Sequence, residues 1–139
     1  MKKILIINGP NLNLVGMREP EVYGQVSMDQ CIGELRILFP EVTLDYFQSN
    51  IEGELIDKIQ QVGSDYAGIV INAGGYSHTS VAIHDAIKSV TAPAIEVHIS
   101  NIFAREEYRH VSLIASACRG MICGFGLSSY RLAIESLLS

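Results

Sequence analysis

Polar and titratable side chains cluster directly after three apolar runs of this sequence. The segment NGPNLNLVGMREPEVYG follows the first run, and the second and third runs lead into NAGGYSHTS and HISNIFAREEYRH. These segments contain asparagine, histidine, arginine and tyrosine, residue types that bind polar ligands or move protons. The first segment shows no helical or strand period, and loops of that length inside compact domains are usually either disordered or functional lids. We expect the three segments to share one site.

An acid and a histidine alternate with aliphatic residues in AIEVH, residues 94–98. In a strand, Ile95 and Val97 point to one face, and the acid and histidine point to the other. If the strand is central and parallel, helices cover both faces, so Glu96 and His98 each need a partner. A carboxylate beside an imidazole orients the ring and favours its protonated form, which suits a proton donor. The alternative is a structural pair that only satisfies itself.

Arginines and a tyrosine in these segments are further candidates. A tyrosine ordinarily has a pKa of about 10, so Tyr23 can act as a base at neutral pH only if a charge such as Arg18 stabilises its phenolate. Arg105 and Arg109 are four residues apart and could lie on one helical face to receive a carboxylate or hydroxyls. The alternatives are a packed loop tyrosine with a solvated arginine, and salt bridges from the later arginines to the glutamates between them.

The motif NAGGYSH, residues 72–78, follows a predicted buried strand. Its glycines let the backbone approach a ligand closely, which makes Gly74 a candidate substrate-binding residue. The alternative is a strand-to-helix turn that needs glycine in any case. Neither G-x-G-x-x-G nor a P-loop is present, so no nucleotide fingerprint supports a dinucleotide or phosphate site.

Several other chemistries are not supported by the residue types. Five residues are possible metal ligands, but their spacings match no common site, so no metal is expected: His78, His84, His98, Asp85 and Glu96. A phospho-acceptor receiver module has a similar architecture, yet it needs an aspartate where Asn72 stands and a lysine where Cys123 stands. The lysines fall at the N-terminus or in predicted helices, which leaves Schiff-base chemistry without an obvious nucleophile.

Composition restricts the class of protein. A length of 139 residues predicts one domain, residues 1–139, and a net charge of −5 without a basic run argues against nucleic-acid binding. No stretch reaches the length of a membrane span or of a signal-peptide core. The three cysteines lack C-x-x-C spacing, which suits reduced thiols in the cytoplasm. Only 18% of residues are charged, less than the roughly 25% of typical domains, which hints at a homo-oligomer.

Apolar runs alternate with helical patterns along the chain, which predicts β-α units and a parallel sheet. The expected strands are KKILII, VTLDYF, AGIVIN, AIEVH and GMICGF. Helices are expected over residues 28–38, 51–62, 79–90 and 127–138. Two pairs fit capping boxes for the first two helices: Ser27 with Gln30, and Ser49 with Glu52. The apolar side of the third helix is expected to contain Val81, Ala82, Ala86 and Val90.

These elements predict a three-layer α/β sandwich of flavodoxin-like type, with a five-stranded parallel sheet in the order 2-1-3-4-5. In such sheets, ligands bind beyond the carboxyl ends of the strands, where the strand order reverses. The three polar segments are therefore expected to face one another.

Four motifs in these segments resemble the type II 3-dehydroquinate dehydratases. They are NGPNLN at 8–13, REPEVYG at 18–24, NAGGYSHTS at 72–80 and EVHISN at 96–101. The resemblance extends over essentially the whole chain. It implies the dehydration of 3-dehydroquinate to 3-dehydroshikimate by anti elimination through an enolate, without a cofactor.

The resemblance also implies roles for individual catalytic residues. Tyr23 matches the base that takes the proton alpha to the ketone, and Arg18 matches the lid arginine that supports the phenolate. His98 matches the acid that protonates the departing hydroxyl, with Glu96 as its carboxylate partner. Asn11 matches the asparagine that helps to hold the enolate through a bound water.

Substrate contacts and assembly follow from the same resemblance. The positions that hold the hydroxyls and carboxylate of the substrate correspond to Asn72, His78, Ile99, Ser100 and Arg109. Asp85 matches a residue that reaches the site of a neighbouring subunit, and the family assembles as dodecamers built from trimers. Phe103 stands where many relatives carry histidine, a difference that bears on packing under Arg109. The alternative function is a flavodoxin-like small-molecule binding module without catalysis.

Overall fold

The computed structural model describes residues 2–17 and 26–139 of the chain. Five parallel strands form one sheet in the order β2-β1-β3-β4-β5: Lys2–Asn8 (β1), Val42–Gln48 (β2), Tyr66–Asn72 (β3), Ala94–His98 (β4) and Gly120–Cys123 (β5). The α-helices of the described residues are Met28–Leu38 (α1), Glu52–Gln60 (α2), Val81–Lys88 (α3) and Ser128–Leu138 (α4). The predicted flavodoxin-like fold and strand order are confirmed.

Two apolar clusters cover the two faces of the sheet. In β1, Ile4 and Ile6 pack into the cluster that contains the buried side chains of α1 and α4. Leu5 and Ile7 pack into the other cluster, with the buried side chains of α2 and α3. Because helices cover both faces, β1 and β3 contain nearly continuous apolar runs rather than alternating ones.

The predicted start of α1 is confirmed, but that of α2 is wrong. Ser27 caps α1, and its hydroxyl and the side chain of Gln30 form both hydrogen bonds of a capping box. In contrast, α2 has Ile51 as its N-cap residue, without a side-chain cap. The hydroxyl of Ser49 accepts a hydrogen bond from the amide of Ile51 and donates to Glu54, so it organises the preceding turn instead.

The third helix is shorter than predicted, and its buried side is only partly the predicted one. The helix begins at Val81 because the Ser80 hydroxyl accepts a hydrogen bond from the amide of Ile83. The buried stripe is Ile83, Ala86 and Ile87, at the i, i+3, i+4 spacing of one helical face. Of the four predicted residues, Ala86 is buried and Val90 packs against the apolar cluster, whereas Val81 is 62% exposed and Ala82 is exposed as well.

The last strand is shorter than its apolar run, and the last helix begins one residue late. β5 ends at Cys123, where Gly124 adopts a φ of 95° that takes the backbone out of the extended region. α4 begins at Ser128 rather than at residue 127.

Gly9 brings the first loop into close contact with the loop after β3. A Cβ atom at this position would lie 2.3 Å from the carbonyl oxygen of Ala73. The amide of Gly9 also donates a hydrogen bond to the carbonyl oxygen of Asn72. The two loops therefore form one continuous layer at the carboxyl end of the sheet, with no space between them for a side chain.

We expect Gly9→Ala to destabilise the protein by about 1–3 kcal/mol, because backbone must move to admit the methyl group. The matched control is Gly33→Ala in the middle of α1, where a Cβ would meet no atom within 4 Å. Alanine there should stabilise the helix by about 0.5–1 kcal/mol. Urea denaturation of both variants checks the expectation, which fails if Gly9→Ala unfolds at or above the wild-type midpoint.

Candidate active site

A cavity of about 200 Å³ lies at the carboxyl ends of the strands. Residues from all three polar segments line it, as expected from the reversal of strand order between β1 and β3. Eight of the predicted site residues are brought together in its wall: Asn11, Asn72, Gly74, His78, His98, Ile99, Ser100 and Arg109. Arg105 is in the wall as well.

His98 and Glu96 form the predicted pair at the end of β4. The imidazole Nε2 of His98 lies 2.5 Å from Oε2 of Glu96, and both side chains are buried. The short contact to a carboxylate means that Nε2 carries a proton, which leaves Nδ1 as the other ring nitrogen. His98 therefore combines a cavity-lining ring with a carboxylate directly behind it, the arrangement of a proton donor held in one orientation.

His78 stacks against His98 and is held from the opposite side. The two rings are 6.0 Å apart between centroids, with an angle of 24° between their planes. Nδ1 of His78 lies 2.8 Å from the backbone carbonyl oxygen of Val111, which can only accept, so Nδ1 carries a proton. When this ring is neutral, its Nε2 is an acceptor, which suits a hydroxyl group of a ligand.

A buried chain of hydrogen bonds orients Asn72. Its amide nitrogen donates to the hydroxyl oxygen of Tyr130 at 3.0 Å, and that hydroxyl donates in turn to Oδ1 of Asn8 at 2.8 Å. Oδ1 of Asn72 accepts from the amide of Gly74 at 3.2 Å. Because Tyr130 has a single proton and gives it to Asn8, the nitrogen of Asn72 must face Tyr130.

Tyr130 remains a neutral phenol in this chain of bonds. Burial on α4 raises the pKa of its hydroxyl well above the ordinary tyrosine value. Asn8 and Asn72 end the neighbouring strands β1 and β3 and are paired in register. One phenol from the last helix thus connects the two central strands at the base of the cavity.

Unusual backbone conformations shape the rest of the cavity wall. Asn11 adopts the left-handed conformation with φ of 71°, and its amide donates to the side chain of Asn50. Gly74 has φ of 61°, and a Cβ there would lie 3.0 Å from the carbonyl oxygen of Pro10. A larger residue at 74 would therefore be strained, as expected for the alternative of a strand-to-helix turn that needs glycine in any case.

The two arginines of the third segment do not lie on one helical face, so that prediction is wrong. Short 3-10 turns cover Ile102–Ala104 and Glu107–Arg109, and Arg105 between them has extended backbone. Nε of Arg109 lies 2.9 Å from Glu106, the salt bridge considered as an alternative. This hydrogen bond holds the pKa of Glu106 below its usual range. Arg109 nevertheless lines the cavity. Its guanidinium has five donor hydrogens, and the salt bridge with Glu106 does not use all of them.

Among the described residues, two predicted site residues do not line the cavity: Glu96, which lies behind His98, and Asp85. Asp85 lies on α3 with 72% of its side chain exposed, 3.1 Å from Nδ1 of His84. Arg18 and Tyr23 lie outside the described residues. Phe103 is exposed, and its ring lies 5.9 Å from that of His110.

Sequence reasoning missed Ser112 and Tyr130, which contact site residues from behind. The hydroxyl of Ser112 reaches the carboxylate of Glu96, and Tyr130 reaches Asn72. Tyr130 belongs to the apolar side of a helix, where a tyrosine is usually only core. The sequence did contain one signal: Asn8 and Asn72 each end a buried central strand, and a buried polar side chain requires a partner.

Metal sites and membrane spans can be assessed in the part of the chain that the structure describes. Within residues 2–17 and 26–139, no group of three or more histidine, cysteine, aspartate and glutamate side chains could hold a metal ion. None of the helices in these two ranges is both long enough and apolar enough to cross a membrane.

The fold and the cavity together define an α/β protein of flavodoxin-like type whose small-molecule site contains a histidine–carboxylate pair. Comparison of this chain with known proteins supports this class. A family model described as dehydroquinase class II matches residues 2–138. The 3-dehydroquinate dehydratase of an Exiguobacterium species is 54% identical over 137 residues, which cover 98% of this chain and 94% of that protein.

A solved structure is similar over its whole length. The type II dehydroquinase of Butyrivibrio crossotus superposes with a TM-score of 0.96 at 45% identity, covering 99% of this chain and 98% of that one. The chain belongs to the class II dehydroquinase family. The alternative of a non-catalytic binding module is not favoured.

We expect Tyr130→Phe to lower the free energy of unfolding by about 1–3 kcal/mol, because Asn8 and Asn72 each lose a buried partner. Tyr46→Phe is the matched control, since the Tyr46 hydroxyl touches only the far end of the chain of bonds, 3.4 Å from the Asn8 nitrogen. Its effect should be smaller. Urea denaturation checks both values, provided that the dependence of the unfolding free energy on urea concentration is the same in all variants. Equal losses of unfolding free energy in the two variants would contradict this account of the network.

Proposed function

We propose that this protein dehydrates 3-dehydroquinate to 3-dehydroshikimate, a step of the shikimate pathway to aromatic amino acids. The observation that carries the proposal is the buried contact between His98 and Glu96 at the wall of a cavity formed by all three polar segments. Membership of the class II dehydroquinase family supports it, as do relatives named 3-dehydroquinate dehydratase.

The reaction needs one base and one acid. The base takes the proton alpha to the ketone, and the electrons of that C–H bond form an enolate. The enolate then expels the beta-hydroxyl, which receives a proton and leaves as water, so one proton enters the protein and one leaves it. His98 is the acid in this proposal, and Glu96 stabilises the imidazolium before transfer. Donors aimed at the enolate oxygen stabilise the charge that develops there.

Asn11 is assigned to the enolate, which it holds through a bound water. Its place in the cavity wall supports this assignment. Tyr23 is assigned as the base, and Arg18 as the residue that stabilises its phenolate. Leu14 and Val15 line the cavity, and Arg18 follows Val15 by three positions in the sequence.

The substrate's hydroxyls and carboxylate require several fixed partners. We assign these contacts to Asn72, Gly74, His78, the backbone of Ile99 and Ser100, and Arg109. The cationic Arg109 suits the carboxylate. His78, with its Nδ1 directed at a backbone oxygen, has Nε2 left for a substrate hydroxyl.

Assembly and location are part of the proposal. We propose a single domain, 1–139, that forms a homododecamer built from trimers in the cytoplasm, with Asp85 reaching the site of a neighbouring subunit. Large apolar side chains on the surface, among them Ile37 at 82% exposure, support an oligomer. Three free cysteines suit a reducing compartment.

The wild-type protein should convert 3-dehydroquinate into a conjugated product that absorbs in the ultraviolet. Tyr23→Phe should lower kcat by about 10²–10⁴-fold, because phenylalanine cannot accept the alpha proton. Tyr66→Phe is the matched control, since Tyr66 is at the opposite end of β3 and bonds to Asp45. It should retain wild-type turnover. Borohydride and a chelator should leave the wild-type rate unchanged.

The absence of wild-type turnover across a range of pH would overturn the proposed function. Turnover that survives in Tyr23→Phe would instead overturn only the assignment of the base. His98→Asn should likewise lower kcat by about 10²–10⁴-fold through loss of the acid.

A further inference from the structure

A short segment after the third polar loop contacts His78 directly and reaches His98 through Glu96. We call residues 111–115 the anchor segment. Its Val111 carbonyl oxygen accepts from Nδ1 of His78, and its Leu113 amide donates to the carbonyl oxygen of Ser77 at 2.8 Å. Between these two contacts, Ser112 points to β4. One segment is therefore linked to the loop after β3 and to the strand that contains His98.

The hydroxyl of Ser112 donates a hydrogen bond to the carboxylate of Glu96. Its Oγ lies 2.9 Å from Oε1 and 2.8 Å from Oε2 of Glu96. The amide of Ala115 donates to the same Oγ at 3.1 Å. Because that amide occupies a lone pair of the hydroxyl oxygen and a carboxylate can only accept, the single proton of Ser112 must point to Glu96.

Glu96 depends on this hydroxyl because its carboxylate is buried with few donors. The side chain is fully buried in the sheet. Among the described residues, the donors to it are Nε2 of His98 and the hydroxyl of Ser112. A buried carboxylate with one donor is poorly compensated, and a single donor does not fix the plane of its two oxygens. Ser112 thus fixes the plane of the carboxylate against which His98 is oriented.

We propose that Ser112 is a positioning residue for His98, and that it acts through the carboxylate of Glu96. The inference rests on the proposed function, in which His98 is the acid. Ser112 holds the carboxylate so that one oxygen stays on Nε2 of His98, and the ring keeps its other nitrogen available to the departing hydroxyl of the substrate. Ser112 itself touches no reacting atom.

The first test is Ser112→Ala, assayed with 3-dehydroquinate. We expect kcat to fall by about 10–100-fold, the size of effect given by loss of a hydrogen bond to a charged group. KM should stay within about threefold of the wild type, because the cavity wall keeps all of its substrate-binding residues. Ser112→Thr, which retains the hydroxyl, should recover kcat to within about fivefold of the wild type.

Ser80→Ala is a matched control for lost stability. The Ser80 hydroxyl also donates to a glutamate, Glu52, and accepts from the backbone amide three residues later. Ser80 does not line the cavity. We expect Ser80→Ala to lower the midpoint of urea unfolding at least as much as Ser112→Ala, while kcat stays within about threefold of the wild type.

Crystal structures of the wild type and Ser112→Ala give a second readout that needs no turnover. In the variant, the Glu96 carboxylate should be rotated and its contact with Nε2 of His98 lengthened. An unchanged Glu96–His98 pair, or a kcat within about threefold of the wild type, would overturn the inference. If Ser112→Ala does not fold, Ser112→Cys replaces it, since a thiol is similar in size but a weak donor. If the wild type shows no turnover, the proposed function fails, and the crystal structures alone decide the role of Ser112.

Discussion

The site depends on the reversal of strand order between β1 and β3. β1 and β3 are neighbours, yet the connection after β1 leads to α1 on one face and the connection after β3 leads to α3 on the other. The two loops therefore diverge from a common line and leave a crevice beyond the strand ends. Asn8, Asn72 and His98 end three adjacent strands at this crevice, so their positions relative to one another are set by sheet register.

Buried polar groups are concentrated at this end of the sheet, and two of them, Glu96 and Asn72, are held by partners from other elements. Glu96 is held by His98 and Ser112, and Asn72 is held by Tyr130 and by a backbone amide. Such groups cost stability whenever a partner is lost, so a packed apolar set would serve the fold alone at least as well. Their presence here is explained by the site, because a fixed carboxylate and a fixed amide are needed to orient groups at the cavity wall.

The sheet was predictable because buried parallel strands give uninterrupted apolar runs, and its order followed from the family of folds that alternating β-α units form. The Glu96–His98 pair was predictable for a similar reason: two charged side chains two residues apart in a covered strand must share a face. Helix starts were harder, since Ser49 precedes its helix by several residues and bonds to Glu54 rather than to the expected residue. Ser112 and Tyr130 could not be predicted, because their partners are distant in sequence and nothing local marks a hydroxyl that is used across the fold.

The hydrogen bond between Tyr130 and Asn8 spans almost the whole chain, because the two residues are 122 positions apart. During synthesis on the ribosome, all five strands leave the exit tunnel before the residue that fixes the amide of Asn72. The part of the sheet that α4 covers, which includes Val70, Ile95 and Val97 on β3 and β4, is not fully covered until that helix is complete. The nascent chain can thus pair its strands early, but it acquires an ordered cavity only with its last helix. Completion of the apolar core and completion of the site are one event in the maturation of this protein.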